Sequence, residues 1–359
     1  MKQKQLIVNT DNTYYLDQVY EDIDDLVNIY SEFSQKEIVG KSVENRDIVA
    51  IKVGILDNNK KPSILLMGGT HAREDFSVML VMKMLNYILY YLDENEKWDK
   101  YDVQAVMSKV NIYFVPVLNP DGLNIVHNGL KNSKNYNFLQ SIPMLGGKSD
   151  YWKANANGVD LNMNFDDGNW FIRKNRDDVD TFASEGFKGT KPDSEPEVKS
   201  IKTFCERNKF LISVTYHCSG EVVFWADKGT HSEFKGVDEN IIDRFTNNTG
   251  YKKCRISENP AKYSCGFENW FRVRYQRPSF CIELSPYPGE PFIQHDDNKF
   301  NKLVWNKVKH SGLFFATEAI SLSEIMYDIY SSNKFIRSFY DIKDASSFIK
   351  SHDGLFIQR

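Results

Sequence analysis

The 359-residue sequence has no apolar run near the roughly eighteen residues that cross a bilayer, and its first ten residues hold no secretory-type apolar core. A cytoplasmic chain with no membrane contact is expected. Cysteine is sparse: Cys205, Cys218, Cys254, Cys265 and Cys281 are odd in number and include no Cys-x-x-Cys pair. That argues against a disulfide framework and against a structural zinc ribbon. Excess charge is missing as well, since the net charge is -4 and no stretch is rich enough in Lys and Arg to grip a polyanion. Nucleic acid is therefore not an expected partner. Gly40-Lys41-Ser42 lacks the glycine that a phosphate-binding loop needs five residues earlier, where Gln35 stands. Nothing in the sequence sets an oligomeric state.

What is present is enough apolar material, 41% of residues, to bury one large core. Spacings of three and four predict helices over Tyr20–Phe33, Asp75–Leu92, Glu239–Thr246 and Asn301–Ala316, and a cap, an early proline and acidic residues open another at Ser194-Glu195-Pro196-Glu197. Short apolar runs predict strands at Ile48–Ile55, Ser63–Met67, Val110–Leu118, Phe210–Tyr216, Glu221–Ala226 and Pro278–Leu284. The first two, separated by a polar turn from Asp57 to Lys61, are expected to pair as a hairpin. Asn119-Pro120-Asp121-Gly122 is expected to be a turn, and Leu123–Lys191 an irregular but ordered region, because its aromatics argue against disorder. Strands alternating with helices give an α/β sandwich with a central sheet. The tail from Ser321 is helix-compatible and carries no recognisable chemistry.

The chemistry gathers at Gly68-Gly69-Thr70-His71-Ala72-Arg73-Glu74, between an apolar strand and a long helix. A His and a Glu three residues apart at a helix entrance place two metal-donor side chains in one small volume. A catalytic zinc site takes three protein ligands and keeps one position open. His217, at the carboxyl end of another apolar run, is the candidate third ligand, since sites in open α/β sheets form at strand carboxyl ends. Cys218, adjacent in an extended stretch, points to the opposite face and is expected to be buried filler.

Several segments together resemble the zinc carboxypeptidases of the carboxypeptidase A type. His71-Ala72-Arg73-Glu74 is similar to the family's ligand pair, Asn119-Pro120-Asp121-Gly122 to its turn after a core strand, Gly158-Val159-Asp160-Leu161-Asn162-x-Asn164-Phe165 to its substrate-binding segment, and Phe280-Cys281-Ile282-Glu283-Leu284 to the strand that presents the catalytic glutamate. The agreement runs in order from about Tyr20 to Ala316. It implies a three-layer α/β/α sandwich around a mixed, mostly parallel central sheet, with a catalytic domain over residues 1–318 and a helical C-terminal extension over 319–359 packed on it.

The resemblance also implies roles. His71, Glu74 and His217 would hold one Zn²⁺ per chain, Glu283 would be the general base, and Lys153, just after Trp152 where the family has Trp-Arg, would stabilise the oxyanion. Arg73, Asn162, Met163 and Tyr263 are candidate substrate contacts. One departure stands out: where the family's Arg grips the substrate's free α-carboxylate, this sequence has Met163, and a thioether cannot replace a guanidinium fork. The stretches Trp152–Asn162 and Ser213–Trp225 look most like the bacterial branch that cuts γ-D-glutamyl-diaminopimelate bonds in peptidoglycan peptides. The implied partner is a peptide, a muropeptide fragment processed internally, since no wall-binding module is seen. The alternatives are a conventional carboxypeptidase that anchors its substrate through Arg173 or Arg176, and a non-catalytic peptide-binding homologue.

Overall fold

Four consecutive residues explain why the sheet is central. In β3 (Ser63–Met67) Ile64 and Leu66 enter one apolar cluster, Leu65 and Met67 enter another, and all four are fully buried. A strand apolar on both faces needs cover on both sides. We describe residues 5–57, 60–176, 179–225, 234–255, 259–287, 297–332 and 334–358 in a computed structural model.

Strand β3 lies inside an eight-stranded sheet. Its other members are β1 (Ser34–Lys41), β2 (Asp47–Val53), β4 (Asn111–Val115), β5 (Ile212–Cys218), β6 (Val222–Phe224), β7 (Lys252–Cys254) and β8 (Ser279–Leu284). The spatial order is β1-β2-β4-β3-β5-β8-β6-β7. Pairing is parallel from β4 through β3 and β5 to β8, and between β6 and β7, and antiparallel elsewhere, so the sheet is mixed and mostly parallel.

One face is covered by α1 (Leu16–Ile29), α2 (Asp75–Asp93), a helix over Val237–Thr249 and a helix over Ser311–Ile325, whose apolar residues share a cluster with Ile64, Leu66, Ile112 and Val214. The other is covered by helices Pro196–Asn208 and Phe267–Tyr275 through Val198, Ile201, Phe204, Phe267 and Phe271. That is the three-layer α/β/α arrangement.

Five expectations need correction. β2 and β3 do not form a hairpin: β4 lies between them, and β2 turns back on β1, a strand whose mixed polar and apolar sequence Ser-Gln-Lys-Glu-Ile-Val-Gly-Lys hid it. The Asn119–Gly122 turn is the entrance of helix Pro120–Asn128, with Asn119 as its cap. The single closing helix is a π-helical segment Asn301–Trp305, a short α segment Asn306–Val308 and then Ser311–Ile325. That last helix crosses the expected boundary at residue 318, and the tail beyond it is not all helical. Tyr327–Ser331, Lys334–Phe339 and Leu355–Gln358 form a separate three-stranded antiparallel sheet beside one helix, Ile342–Lys350. Its aromatics suit strands as well as helices, and tertiary pairing decided between them. Buried Arg277 fastens it, donating to Asp328 Oδ2 at 2.6 Å and Ser338 Oγ at 3.2 Å. Within the expected Glu221–Ala226 strand, Ala226 lies outside the described residues.

Candidate active site

The site forms where β3, β5 and β8 end together. After β3 the chain turns at Gly69, whose φ of +59° suits glycine, and a Cβ there would lie 2.9 Å from the Val117 Cα. This tight passage lets His71 and Glu74 emerge before α2 begins at Asp75. Asn119 braces the turn. Its N–H donates to the Gly69 carbonyl at 2.9 Å, and its side chain donates to Ala154 O at 3.0 Å, tying the His71 loop to the loop of Lys153. Gly122 is required by the same packing, since a Cβ would lie 2.7 Å from both Ala154 O and the Ala72 Cβ. On the other side, His217 of β5 and Glu283 of β8 are register partners in neighbouring parallel strands.

The ligand atoms of buried His71, Glu74 and His217 all lie within 4.8 Å of one another. His71 Nδ1 is 2.8 Å from Glu74 Oε1, His217 Nδ1 is 3.0 Å from Glu74 Oε2, and the two Nδ1 atoms are 3.0 Å apart. Ligands at zinc's bond lengths in a tetrahedron sit about 3.3 Å from each other, so these donors surround one point and the set fits the ion. The outer partners fit as well. His71 Nε2 lies 3.2 Å from Asp160 Oδ1, the carboxylate-histidine arrangement that orients a metal-binding imidazole, and the Cys218 N–H donates to Glu74 Oε2 at 3.2 Å. Cys218 thus serves the site through its backbone, and its thiol is not among the converging donors.

Charges are distributed unequally over the carboxylates. Burial alone would raise the Glu74 carboxyl, but His71 and His217 reverse this and hold it well below the usual range. Burial is likewise outweighed at Asp160 by Lys153, whose Nζ is 3.7 Å away, and by His71. Glu283 behaves oppositely: burial first, then the negative charge of Glu74, push its carboxyl up to about 7, against the pull of His217 and Lys153. A carboxyl poised there can both accept and return a proton near neutrality.

A cavity of about 360 Å³ opens over this cluster. Its walls include His71, Glu74, Glu283, Lys153, Arg73, Asn162 and Tyr263, so the structure brings these sequence-predicted residues to one place, whereas His217 is reached only through its ring contacts at the floor. Met163 is the exception. It sits in a 3-10 turn, Leu161–Met163, is fully buried, and does not line the cavity; an apolar thioether at this position turns into the interior, and its expected substrate contact is withdrawn. Arg73 lines the wall but is engaged, pairing with Glu185 at 2.9 Å and donating to the Tyr151 carbonyl at 2.8 Å. Asn162 accepts the Phe267 N–H at 2.9 Å, which fixes its amide. Arg173, Arg176 and Glu268 join the wall. Glu268 and the positioning residues Asp160 and Asn119 went unassigned in the sequence, although Asp160 lies inside the recognised Gly158–Asn162 segment.

The model of the family described as zinc carboxypeptidase matches residues 19–301. The chain belongs to that family. It is a zinc metallopeptidase, with zinc as the cofactor and a His-Glu-His triad suited to it. This zinc carboxypeptidase is 26% identical over 291 residues to gamma-D-glutamyl-L-diamino acid endopeptidase 1 of Lysinibacillus sphaericus, across 80% of this chain and 70% of that one. In fold it resembles the crystal structure of thrombin activatable fibrinolysis inhibitor, with a TM-score of 0.65 at 20% identity, covering 87% of this chain and 74% of that one. It also resembles carboxypeptidase A from Helicoverpa armigera, with a TM-score of 0.62 at 19% identity over 88% and 76% of the two chains. Among the described residues of this carboxypeptidase no helix is long and apolar enough to cross a membrane.

Proposed function

We propose that this zinc peptidase hydrolyses the amide bond between a γ-D-glutamyl group and a diamino acid in peptidoglycan-derived peptides. The observation that carries the reading is the wall chemistry of the cavity. Guanidinium and ammonium groups of Arg73, Lys153, Arg173 and Arg176 line it together with carboxylates of Glu268 and Glu283, beside the aromatic rings of Phe224, Tyr263 and Tyr287. Such a wall suits a short peptide rich in carboxylates and carrying a free amine better than an aromatic or aliphatic terminus. The burial of Met163 agrees, because the usual carboxylate clamp is missing. The endopeptidase from Lysinibacillus sphaericus supports the same choice by its name.

His71, Glu74 and His217 hold the zinc, which when bound polarises the scissile carbonyl and brings the pKa of water to about 7. Glu283 takes the proton from the attacking water and returns it to the leaving amine. Lys153, buried beside Asp160, presents its ammonium to the oxyanion. Asp160 keeps the His71 ring oriented. Asn162 and Tyr263 contact the substrate. Tyr263 is 44% exposed at the cavity mouth, so it can swing without breaking core packing. The five unpaired cysteines suit a reducing compartment, and we place the enzyme in the cytoplasm, acting on recycled fragments.

The test is mass-spectrometric cleavage of L-Ala-γ-D-Glu-meso-diaminopimelate by zinc-loaded protein, with Glu283→Gln alongside and a peptide with an ordinary aromatic C-terminus as comparator. Release of diaminopimelate by the wild type alone is expected. Trimming of the comparator only would replace this reading with that of a conventional carboxypeptidase, and cleavage of neither would point to a peptide-binding homologue.

A further inference from the structure

Arg173 is 2% exposed, yet it lines the active-site cavity, and its Nε and Nη1 have no hydrogen-bond partner among the described residues. Burying a guanidinium without a hydrogen-bonded counter-ion is costly. Burial and the neighbouring Arg176 push it down to about 10, which still leaves it charged at neutral pH. The segment that carries it is held firmly. Its N–H donates to Asn169 O at 2.9 Å, Lys188 Nζ donates to Trp170 O at 2.8 Å and also to Arg173 O, and the Lys174 N–H donates to Ala261 O at 2.9 Å. Arg176, three residues on, bonds through its N–H to Gly186 O at 2.9 Å, and the Gly186 N–H donates to Asp160. The guanidinium is therefore built in beside the zinc-orienting carboxylate, at a wall where Met163 supplies no charge. Among the described residues no acidic side chain forms an ion pair with it, although the charges of Asp160 and Asp167 act on it from a distance, and its donors are open to the carboxylate of a ligand.

We propose that Arg173, backed by Arg176, is the specificity-determining residue that holds the free carboxylate of the amino acid released from the substrate. This rests on the peptidase reading given above. A planar fork with unfilled donors matches a carboxylate in two parallel hydrogen bonds, and a ligand that completes them removes the penalty of the buried charge.

The experiment is titration calorimetry on zinc-loaded protein carrying Glu283→Gln, which leaves the peptide intact. The ligands are L-Ala-γ-D-Glu-meso-diaminopimelate and the same peptide amidated on its diaminopimelyl carboxylates. Adding Arg173→Met should weaken binding of the free acid by roughly 100-fold and of the amide by less than about 3-fold, with Arg173→Lys intermediate. The melting midpoint without ligand should rise with Arg173→Met, because an unpaired buried charge has been removed. Equal weakening of both peptides, no weakening, or a lowered melting midpoint with loss of both would overturn the proposal. The same pair of titrations on an aromatic-terminated peptide, free or amidated, separates the two readings. If only that free acid is bound, and Arg173→Met selectively removes it, the anchor stands and the wall-peptide substrate falls. If the parent protein binds neither free acid, both fall.

Discussion

Glu283 and His217 stand opposite one another in the register of two adjacent parallel strands, although sixty-odd residues of chain separate them in sequence. This pairing sets the proposed base beside the proposed metal ligand without using a flexible loop for either. Both are placed by the ladder of backbone hydrogen bonds between β5 and β8, which gives a more rigid geometry than loop residues would have.

Removing a ligand should remove the metal. His217→Ala, and His71→Ala in parallel, are expected to lower zinc content from about one per chain to a small fraction of that, as read by elemental analysis after dialysis. Asp160→Asn should retain the triad but weaken zinc by roughly 10- to 100-fold in a chelator competition, because the His71 ring loses the carboxylate 3.2 Å from its Nε2. Undiminished zinc in His217→Ala would refute the triad.

Glu283→Gln should bind zinc normally and lose turnover by about 10²- to 10⁴-fold, since the amide keeps the shape and cannot accept the proton. Comparing kcat with zinc content in one preparation checks this. Near-normal turnover with full metal would rule out the base.

Lys153→Met should lower kcat by about 10²-fold or more with little change in KM, because an oxyanion contact is realised in the transition state. Lys153→Arg should recover a large part. The readout is a full Michaelis analysis of the three proteins.

The pH dependence of activity follows from Glu283. Its carboxyl, pushed up to about 7 by burial and by Glu74, must be ionised to act as base, so activity falls as the pH drops through that value. Bound zinc favours the charged form, so the acid limb of kcat/KM in the loaded enzyme should lie between the ordinary carboxylate range and 7. A limb that moves toward lower pH in Glu268→Gln, and is abolished in residual Glu283→Gln activity, confirms the assignment.

Stability should follow a different carboxyl. Glu197 is fully buried, accepting from the Val43 N–H at 3.1 Å and from Asn155 at 3.2 Å, and burial raises it from 4.5 to about 8 despite those bonds. The folded state therefore holds this proton more tightly than the unfolded one. Its contribution is complete below about 4.5 and is lost as the pH rises through 8, on the order of a few kcal/mol. The melting midpoint should decline over that window in the wild type and be flatter in Glu197→Gln, by calorimetry across pH.

Elements whose signal is local are legible in the amino-acid pattern. The apolar runs of β3, β5 and β8 and the three-and-four spacing of α2 fix strands and helix without reference to the rest of the chain, and His71-x-x-Glu74 needs only the strand-to-helix turn to bring its donors together. Tertiary structure alone decided matters that depend on distant partners. β1 is a strand because β2 pairs with it, and the aromatic tail folds as a small sheet with one helix, rather than as helix throughout, because Arg277 and its neighbours receive it. Met163 and Arg173 illustrate the same division within the site. Their identities announce a lost clamp and an extra cation, but which one lies in the core and which faces the cavity was set by how the irregular segment from Leu161 to Gly186 packs against the sheet, a balance of burial and hydrogen bonding that no local pattern encodes.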